Sequence, residues 1–261
     1  MTNSISSIQS ENSSVLITII TVVYNNVSHI KETIQSVLLQ KYTNIEYIVI
    51  DGESDDGTLE ILDEFSSDIS ILLIEPDKGI YDALNKGISL SNGEIVGFLH
   101  SGDFYANNNV ILDIANLFTN KGSEVVYGDL DYVNSNNTQS IVRSWKAGNF
   151  YKKKLKYGWM PPHPAFYAKR DLYINSGGFN LAFKIAADYD CMIRFLQQDI
   201  LISYIPKVLV KMRIGGVSNK SLKNIIQKSL EDYRIMKKNK IGGVASLIWK
   251  NLSKLKQFYK K

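Results

Sequence analysis

The chain has 261 residues, 44% of them hydrophobic and 21% charged, which gives enough apolar material for one large core. Its single cysteine, Cys191, excludes an internal disulfide, and no apolar run reaches the roughly 18 residues of a membrane span. The polar first fifteen residues have no basic start and no apolar signal core, so we expect a cytoplasmic protein.

Charge is unevenly distributed along the chain. The net charge is +4, but residues 220–261 alone contain eleven Lys, one Arg, one Glu and one Asp. The residues before this segment are therefore net acidic. Such a split predicts a basic C-terminal extension with an anionic partner, either a membrane or a nucleic acid.

The first hundred residues alternate between apolar runs and amphipathic segments. Because each apolar run is hydrophobic throughout, we predict an α/β fold with a mostly parallel central sheet flanked by helices. Ligands of such open sheets bind outside the carboxyl ends of the strands. The predicted strands are 15–24, 45–51, 70–75 and 95–99, and the predicted helices begin at 30, 58 and 80.

Polar residues collect where these four strands end, at Tyr24-Asn25, Asp51–Glu53, Glu75–Asp77 and His100–Asp103. We expect the four clusters to face one crevice. After about residue 125 the pattern changes. The sequence there predicts strands at 124–133 and 140–146, a helix at 187–198, a strand–turn–strand at 200–213, and helix over the last forty residues.

Five motifs occur in a fixed order: ITIITVVYNN, VIDGESDDGT, EPDKGIYDALNKGI, GEIVGFLHSGDFY and IAADYDCMIR. In this order and spacing the chain resembles the family 2 glycosyltransferases of GT-A fold, and more closely the bacterial branch that builds surface polysaccharides such as O-antigen or colanic acid. The resemblance implies a GT-A domain at 15–218, with a nucleotide-sugar half to about 104 and an acceptor half beyond it. Residues 219–261 would form a basic helical extension.

The resemblance implies an inverting transferase that moves a hexose from a nucleotide-sugar, preferably a UDP-sugar, to a lipid-pyrophosphate-linked saccharide. Asp103 matches the last acid of the family's Asp-x-Asp metal motif, so Mg²⁺ or Mn²⁺ would stabilise the departing diphosphate there. His100 replaces the first acid of that motif, and Gly102 stands where a second acid often lies. This departure leaves metal dependence open, and a strand-end turn without a ligand is the alternative.

The resemblance also implies contacts to the donor. Asp51 would accept the uracil N3–H, and Lys78 would contact the diphosphate or sugar. A turn or helix cap is the alternative for Asp51, and a solvated charge at the start of a helix is the alternative for Lys78. Leu84 stands where many relatives carry an arginine. The implied donor-binding residues are Thr21, Tyr24, Asp51, Lys78, Asp82, His100, Ser101 and Gly102.

Asp188, in AADYD, matches the acid of the family's Glu-Asp motif, with Ala187 in place of the Glu. An inverting transferase needs one base to take the proton of the acceptor hydroxyl. Asp190 lies about 200° further around a helix, so we expect it to turn away if Asp188 faces the cleft. The alternative is an acidic helix N-terminus favoured by the helix dipole.

Two further positions fit the family pattern. His163, in PPHPAFY, is implied to touch the acceptor or the donor phosphates, and a structural histidine is an equal alternative. Arg213, with Gly215, Gly216 and Ser218, is implied to form a mobile loop over the diphosphate.

The C-terminal extension combines apolar residues at three- and four-residue steps with many lysines. This pattern predicts a basic amphipathic helix that holds a peripheral enzyme on the inner face of the cell membrane. A helix packed on the domain is the alternative. The apolar residues are Trp249, Leu252, Leu255 and Tyr259, and the lysines are Lys250, Lys254, Lys256, Lys260 and Lys261.

Two other functions compete with this interpretation. A nucleotidyltransferase acting on sugar phosphates would be expected to carry a Gly-rich phosphate loop after the first strand, and VVYNNVSH contains no glycine. A nucleic-acid-binding protein would use the basic tail, but the tail matches no recognised binding motif. We therefore expect no nucleic-acid partner.

Overall fold

The computed structural model describes residues 14–214 and 222–255. Its strands are β1 (Ile17–Val23), β2 (Ile45–Asp51), β3 (Ile71–Ile74), β4 (Ile95–Phe98), β5 (Phe104–Tyr105), β6 (Val125–Val133), β7 (Ile141–Trp145), β8 (Phe166–Lys169) and β9 (Ile202–Arg213). Its helices are α1 (Ile30–Leu38), α2 (Thr58–Glu64), α3 (Ile80–Leu90), α4 (Val110–Lys121), α5 (Arg170–Ser176), α6 (Ala187–Leu196), α7 (Leu222–Lys238) and α8 (Val244–Leu255).

One sheet contains all the strands of the described residues, in the order β3-β2-β1-β4-β8-β6-β9-β5, with β7 paired to β6. In its first half, β1 runs parallel to β2 and β4, and β2 runs parallel to β3. Every residue of β1 is buried, which explains why this strand is hydrophobic on both faces. The predicted α/β fold, with parallel strands over the first hundred residues, is confirmed.

The second half of the sheet is mixed. Strand β8 is antiparallel to both β4 and β6, whereas β9 runs parallel to β6. The predicted strand–turn–strand at 200–213 is wrong, because the chain forms the single strand β9. Ile205 pairs with Gly128 and Val208 with Asp129, so Pro206 and Lys207 form a bulge. Proline lacks the N–H that a ladder needs, and here it interrupts the pairing without reversing the chain.

A glycine allows the two halves to join. Gly97 of β4 pairs with Tyr167 of β8, and a Cβ on Gly97 would lie 2.1 Å from the tyrosine ring. Only glycine fits this approach. The Tyr167 hydroxyl donates to that of Tyr105 at 2.9 Å, which ties β8 to β5.

The helices of the C-terminal extension share the main core. Ile235 and Met236 of α7 are fully buried in the cluster that contains Ile20 of β1. Lys250 of α8 is 2% exposed and pairs with Asp232 of α7 at 2.8 Å. The prediction that Lys250 lies on the solvated face is therefore wrong, because α8 docks on α7 through this side chain.

The outer side of α8 matches the prediction better. Trp249 is 54% exposed and Leu252 is 53% exposed. Tyr259, Lys256, Lys260 and Lys261, and the side chains of Lys254 and Leu255, lie outside the described residues. Among the helices that the structure describes, none has the length and hydropathy that crossing a membrane requires.

Candidate active site

The candidate site lies at the carboxyl ends of β1, β2 and β4, where the polar clusters of the sequence meet. Its first element is the turn His100–Asp103 after β4. Gly102 has φ +98°, and its N–H donates to the hydroxyl of Thr33 in α1 at 2.9 Å. Ser101 accepts a 2.7 Å bond from the side chain of Asn26. The turn is therefore fastened to β1 and α1 through its backbone and its serine.

Arg213 contacts this turn and the neighbouring helix α1. Its guanidinium donates to the carbonyl of Gly102 at 2.5 Å, pairs with Glu32 of α1, and lies 5.0 Å from the centre of the Phe104 ring. The side chain is 9% exposed. These contacts engage Nη1 and Nη2 of Arg213, whereas Nε has no hydrogen-bond partner, and a role of Arg213 at the diphosphate stays a prediction. The loop residues Gly215, Gly216 and Ser218 lie outside the described part of the chain.

Asp103 is buried at 4% exposure, and its Oδ2 atom has no hydrogen-bond partner. Burial raises the pKa of this carboxyl well above its usual range, and Arg213 opposes that rise. An unpartnered buried oxygen is costly unless a ligand completes it. Within residues 14–214 and 222–255, no three His, Cys, Asp or Glu side chains cluster as a metal cage. The residues therefore fit a cation that takes most of its ligands from phosphates and water, as Mg²⁺ does.

His100, which is half-buried, and His163, which is buried, form a pair after the end of β4. Nε2 of His100 is 3.4 Å from Nδ1 of His163, and the His163 ring stacks on Phe98 with centroids 5.2 Å apart. Burial lowers the pKa of His100 to about 3 and also lowers the pKa of His163. The pair is therefore neutral at physiological pH. The other ring nitrogens, Nδ1 of His100 and Nε2 of His163, are buried and have no hydrogen-bond partner.

Asp188 is the second residue of α6 and is half-buried. Burial lowers the pKa of His100 and of His163, and the charge of Asp188 opposes this effect on both, so the carboxylate lies near the histidine pair. The hydroxyl of Tyr81 lies 3.2 Å from Oδ1 of Asp188 and donates to the carbonyl of Ile185 at 2.8 Å. The sequence analysis missed Tyr81, although it lies within the motif DKGIYDALNKG.

Asp190 points away from this cleft, as the helix geometry predicts. It is fully buried, pairs with Arg194 at 3.0 Å, and lies 3.6 Å from the ammonium of Lys238. Arg194 also donates to the carbonyls of Ser176 and Gly178. Asp190 is therefore part of a structural network, and Asp188 is the acid of this motif that the cleft can use.

The predicted base-binding residues have different placements. Tyr24 is 63% exposed at the end of β1. Thr21 is fully buried and donates to the carbonyl of Leu99 at 2.7 Å. The Tyr47 hydroxyl donates to the Thr21 hydroxyl at 3.1 Å, and a contact of Thr21 with the base stays a prediction. Asp51 is also fully buried, and both its oxygens accept from Ser54 at 2.7 Å, which is the capping geometry of the alternative interpretation.

The segment before α3 lies at the same edge of the sheet. Lys78 is exposed, and its backbone N–H donates to Asp82 at 2.9 Å. Asp82 therefore reaches back to the backbone just before α3, while the side chain of Lys78 is exposed. A Cβ on Gly52 would lie 2.9 Å from Asp77 and 3.3 Å from Tyr24, so these side chains crowd one side of the crevice.

A mixed α/β sheet with an acid at the end of β4 and another at the start of α6 defines a GT-A glycosyltransferase architecture. The model of the family described as Glycosyl transferase family 2 matches residues 18–183. An uncharacterized glycosyltransferase of Mycobacterium tuberculosis, Rv1514c, is 31% identical over 182 residues, which is 68% of each chain. The chain belongs to glycosyl transferase family 2, and it is a glycosyltransferase. This assignment decides against the nucleotidyltransferase alternative.

Two other relatives have more specific names. The PGL/p-HBAD biosynthesis glycosyltransferase of Mycobacterium bovis is 30% identical over 196 residues, covering 71% of this chain and 72% of the relative. The UDP-Glc:alpha-D-GlcNAc-diphosphoundecaprenol beta-1,3-glucosyltransferase WfgD of Escherichia coli is 34% identical over 144 residues. That match covers 54% of this chain and 55% of WfgD.

Solved structures share the fold. TarS 1–349 of S. aureus in complex with UDP-GlcNAc has a TM-score of 0.67 at 18% identity, covering 86% of this chain and 65% of TarS 1–349. The mannosyltransferase PcManGT of Pyrobaculum calidifontis, solved with GDP-Man and Mn²⁺, has a TM-score of 0.61 at 19% identity. That match covers 85% of this chain and 63% of PcManGT. The predicted GT-A fold is confirmed.

Proposed function

We propose that the protein is an inverting hexosyltransferase that moves a sugar from a nucleotide-sugar, preferably a UDP-sugar, to a lipid-pyrophosphate-linked saccharide during bacterial surface-polysaccharide synthesis. One observation carries this proposal. Asp188, which Tyr81 contacts, lies close enough to the His100–His163 pair to act on the pKa of both histidines, and, besides burial, Asp103 and Asp188 both raise the pKa of Tyr132. A base for the acceptor and a carboxylate for the diphosphate side are thereby brought together.

The proposed reaction is a single displacement in which Asp188 is the general base. The acceptor oxygen forms a bond to the anomeric carbon as the bond from that carbon to the diphosphate oxygen breaks, and the acceptor proton passes to Asp188. Tyr81 donates to Asp188 and orients its carboxylate. His100 and His163, being neutral, each present an imidazole nitrogen as a hydrogen-bonding group.

Asp103 is the proposed protein ligand of Mg²⁺ or Mn²⁺. Such a cation neutralises charge on a leaving diphosphate when it is bound. The Mn²⁺ in the PcManGT structure supports this choice, as does the unpartnered Oδ2 of Asp103. Lys78, exposed at the crevice, supplies a mobile positive charge for the same diphosphate.

The UDP preference is supported by the UDP-GlcNAc complex of TarS and by the name of WfgD. Tyr24 offers an exposed ring at the end of β1 on which a base can stack. Asp51 reaches the uracil N3–H only if its bonds to Ser54 rearrange, because both carboxylate oxygens are already engaged.

The proposed acceptor places the enzyme on the inner face of the cell membrane. WfgD is named for a diphosphoundecaprenol-linked acceptor. The exposed sides of α7 and α8 carry apolar side chains within a strongly basic segment, a combination suited to an anionic lipid surface. These side chains are Ile225, Ile226, Leu230, Val244, Ile248, Trp249 and Leu252.

The function is tested by incubating the full chain with labelled UDP-, GDP- and dTDP-sugars and a lipid-pyrophosphate-linked saccharide. We expect transfer from a UDP-sugar, with the anomeric configuration of the product, read by NMR, opposite to that of the donor. Retained configuration would overturn the mechanism. Transfer from GDP- or dTDP-sugars alone would overturn the UDP preference.

Membrane contact is tested by flotation with anionic vesicles. The double variant Trp249→Ser, Leu252→Ser removes two exposed apolar side chains and leaves the buried Lys250 in place. Each lost contact is worth roughly 1.5–3 kcal/mol, so vesicle binding should fall strongly. The control is Leu38→Ser, Leu39→Ser, which removes exposed apolar side chains from α1. Equal binding by both variants and the unaltered protein at low salt would refute the membrane role of α8.

A further inference from the structure

The carboxylate of Glu231, in α7, accepts hydrogen bonds from the backbone just before α6, the helix that carries Asp188. Its carboxylate is 5% exposed and accepts from three consecutive N–H groups, those of Lys184, Ile185 and Ala186, at 3.0, 2.9 and 2.9 Å. The side chain of Gln227 donates a fourth bond at 3.0 Å. One carboxylate therefore fixes the three residues that lead into α6.

These hydrogen bonds take the place of a side-chain N-cap, which the residues just before α6 do not supply. The residue before α6 is Ala186, whose side chain cannot accept a hydrogen bond, and the helix has no side-chain cap. A negative charge near a helix N-terminus is favourable because the N–H groups there are unpaired. Glu231 provides that charge from a helix more than forty residues further along the chain.

The same segment is held from its other side by Tyr81. Ile185 donates its N–H to Glu231 at 2.9 Å, and its carbonyl accepts from the Tyr81 hydroxyl at 2.8 Å. That hydroxyl also lies 3.2 Å from Oδ1 of Asp188. The peptide before α6 and the carboxylate of Asp188 are thus fixed by one connected set of hydrogen bonds.

We propose that Glu231 is a positioning residue for the transfer reaction, which fixes the start of α6 so that the Asp188 carboxylate meets the acceptor hydroxyl. This inference rests on the proposed role of Asp188 as base. It makes α7, which lies beyond the segment that matches the family model, part of the catalytic apparatus. A displacement of about 1 Å at a catalytic group can cost up to a hundredfold in rate.

The test compares Glu231→Gln with Glu46→Gln. Glu46 is a matched control because it is also buried and accepts from the backbone N–H of Asn92 at 2.8 Å, at the amino ends of the strands. We expect Glu231→Gln to lower kcat by about ten- to a hundredfold with the donor KM unchanged. Glu46→Gln should lower thermal stability and leave kcat within about twofold.

Glu231→Asp provides a variant that keeps the charge but shortens its reach by one methylene, and we expect an intermediate kcat. A kcat within twofold of the unaltered enzyme in folded Glu231→Gln would overturn the inference. Asp188→Asn separates this result from failure of the proposed function. If Asp188→Asn is inactive while the Glu231 variants are normal, the positioning role alone is wrong. If Asp188→Asn is active, the proposed base is wrong.

Discussion

The two halves of the molecule each contain a buried carboxylate that binds backbone, but the two carboxylates lie at opposite ends of the architecture. Glu46 accepts from Thr18, Asn92 and Gly93 at the amino ends of β1, β2 and β4. Glu231 accepts from Lys184, Ile185 and Ala186 beside the candidate base. Both carboxylates accept hydrogen bonds from backbone N–H groups, but only Glu231 does so beside Asp188. The comparison indicates that the distance of such a carboxylate from the reacting atoms decides whether its removal changes the rate or only the stability.

The largest effect is expected at the base itself. Asp188→Asn removes the proton acceptor, so kcat should fall by about 10²–10⁴-fold while UDP binding by calorimetry stays nearly unchanged. Asp190→Asn is the control, since Asp190 pairs with Arg194 in the interior. It should retain most activity and lose stability instead. Retention of more than about a tenth of the normal rate by Asp188→Asn would contradict the assignment.

A stability effect of similar size is expected where the C-terminal helices join the second half. Lys250→Met leaves Asp232 buried without its ion-pair partner, which should cost about 3–5 kcal/mol in urea unfolding. The double variant with Asp232→Leu should recover much of this loss. Lys31→Met, in the exposed pair with Glu64, should change stability by about 1 kcal/mol or less. Similar losses for Lys250→Met and Lys31→Met would mean that α8 is not docked as described.

A smaller effect is expected on the donor side. Asp103→Ala should weaken Mg²⁺- or Mn²⁺-dependent binding of UDP by about tenfold or more, equivalent to roughly 1.4 kcal/mol, measured by calorimetry. Asp113→Ala, in the exposed pair with Lys207, should leave binding unchanged. If EDTA alters neither UDP binding nor turnover of the unaltered enzyme, the replacement at His100 has removed the metal and the proposed cofactor is wrong.

The smallest effect concerns acid stability and addresses the two carboxylates directly. Burial acts to raise the pKa of Glu46 and of Glu231, but hydrogen bonds to each carboxylate outweigh burial and lower it. Because each carboxyl has a lower pKa in the folded state, the unfolded chain binds more protons at acidic pH. The free energy of unfolding that these two carboxylates contribute is fully present above the unfolded pKa, near 4.3, and is lost as pH falls through the folded pKa. Glu46→Gln and Glu231→Gln should each flatten the loss of stability between about pH 5 and 3, by on the order of 1 kcal/mol. An unchanged slope in both would contradict the prediction.

The first half could be predicted closely because its signals are local. Strand β2 has the predicted bounds, Ile45 and Asp51, and α3 begins at Ile80, within the motif that starts at Asp77. The strand ends then place their polar clusters together through the topology of a parallel sheet. The side of a strand that faces the cleft could not be predicted, because β1 is buried on both faces. The predicted role of Thr21 therefore stays a prediction.

The second half depends on contacts that sequence periodicity does not record. Strand β8 has four residues, and helix α5, which follows it directly, has seven. Neither is long enough to show a clear periodicity of hydrophobic residues. Lys250 follows the pattern of a solvated helix position, and only its partner on α7 reveals that it is buried. Glu231 belongs to no sequence motif, and only its three hydrogen bonds from backbone N–H groups indicate its role. Tyr81 could have been predicted, because it lies between Lys78 and Asp82, which the sequence already assigned to the site.

The match to the family model ends at residue 183, and the first N–H held by Glu231 belongs to Lys184. A chimera that takes residues 18–183 from a relative would therefore keep the base, the Glu231 contacts and the Lys250–Asp232 pair together on the native fragment. The hydrogen bonds of Tyr81 to Ile185 and Asp188 would cross the junction. Exchange of donor-binding modules within this family should then succeed best between chains that both carry a tyrosine at the position of Tyr81.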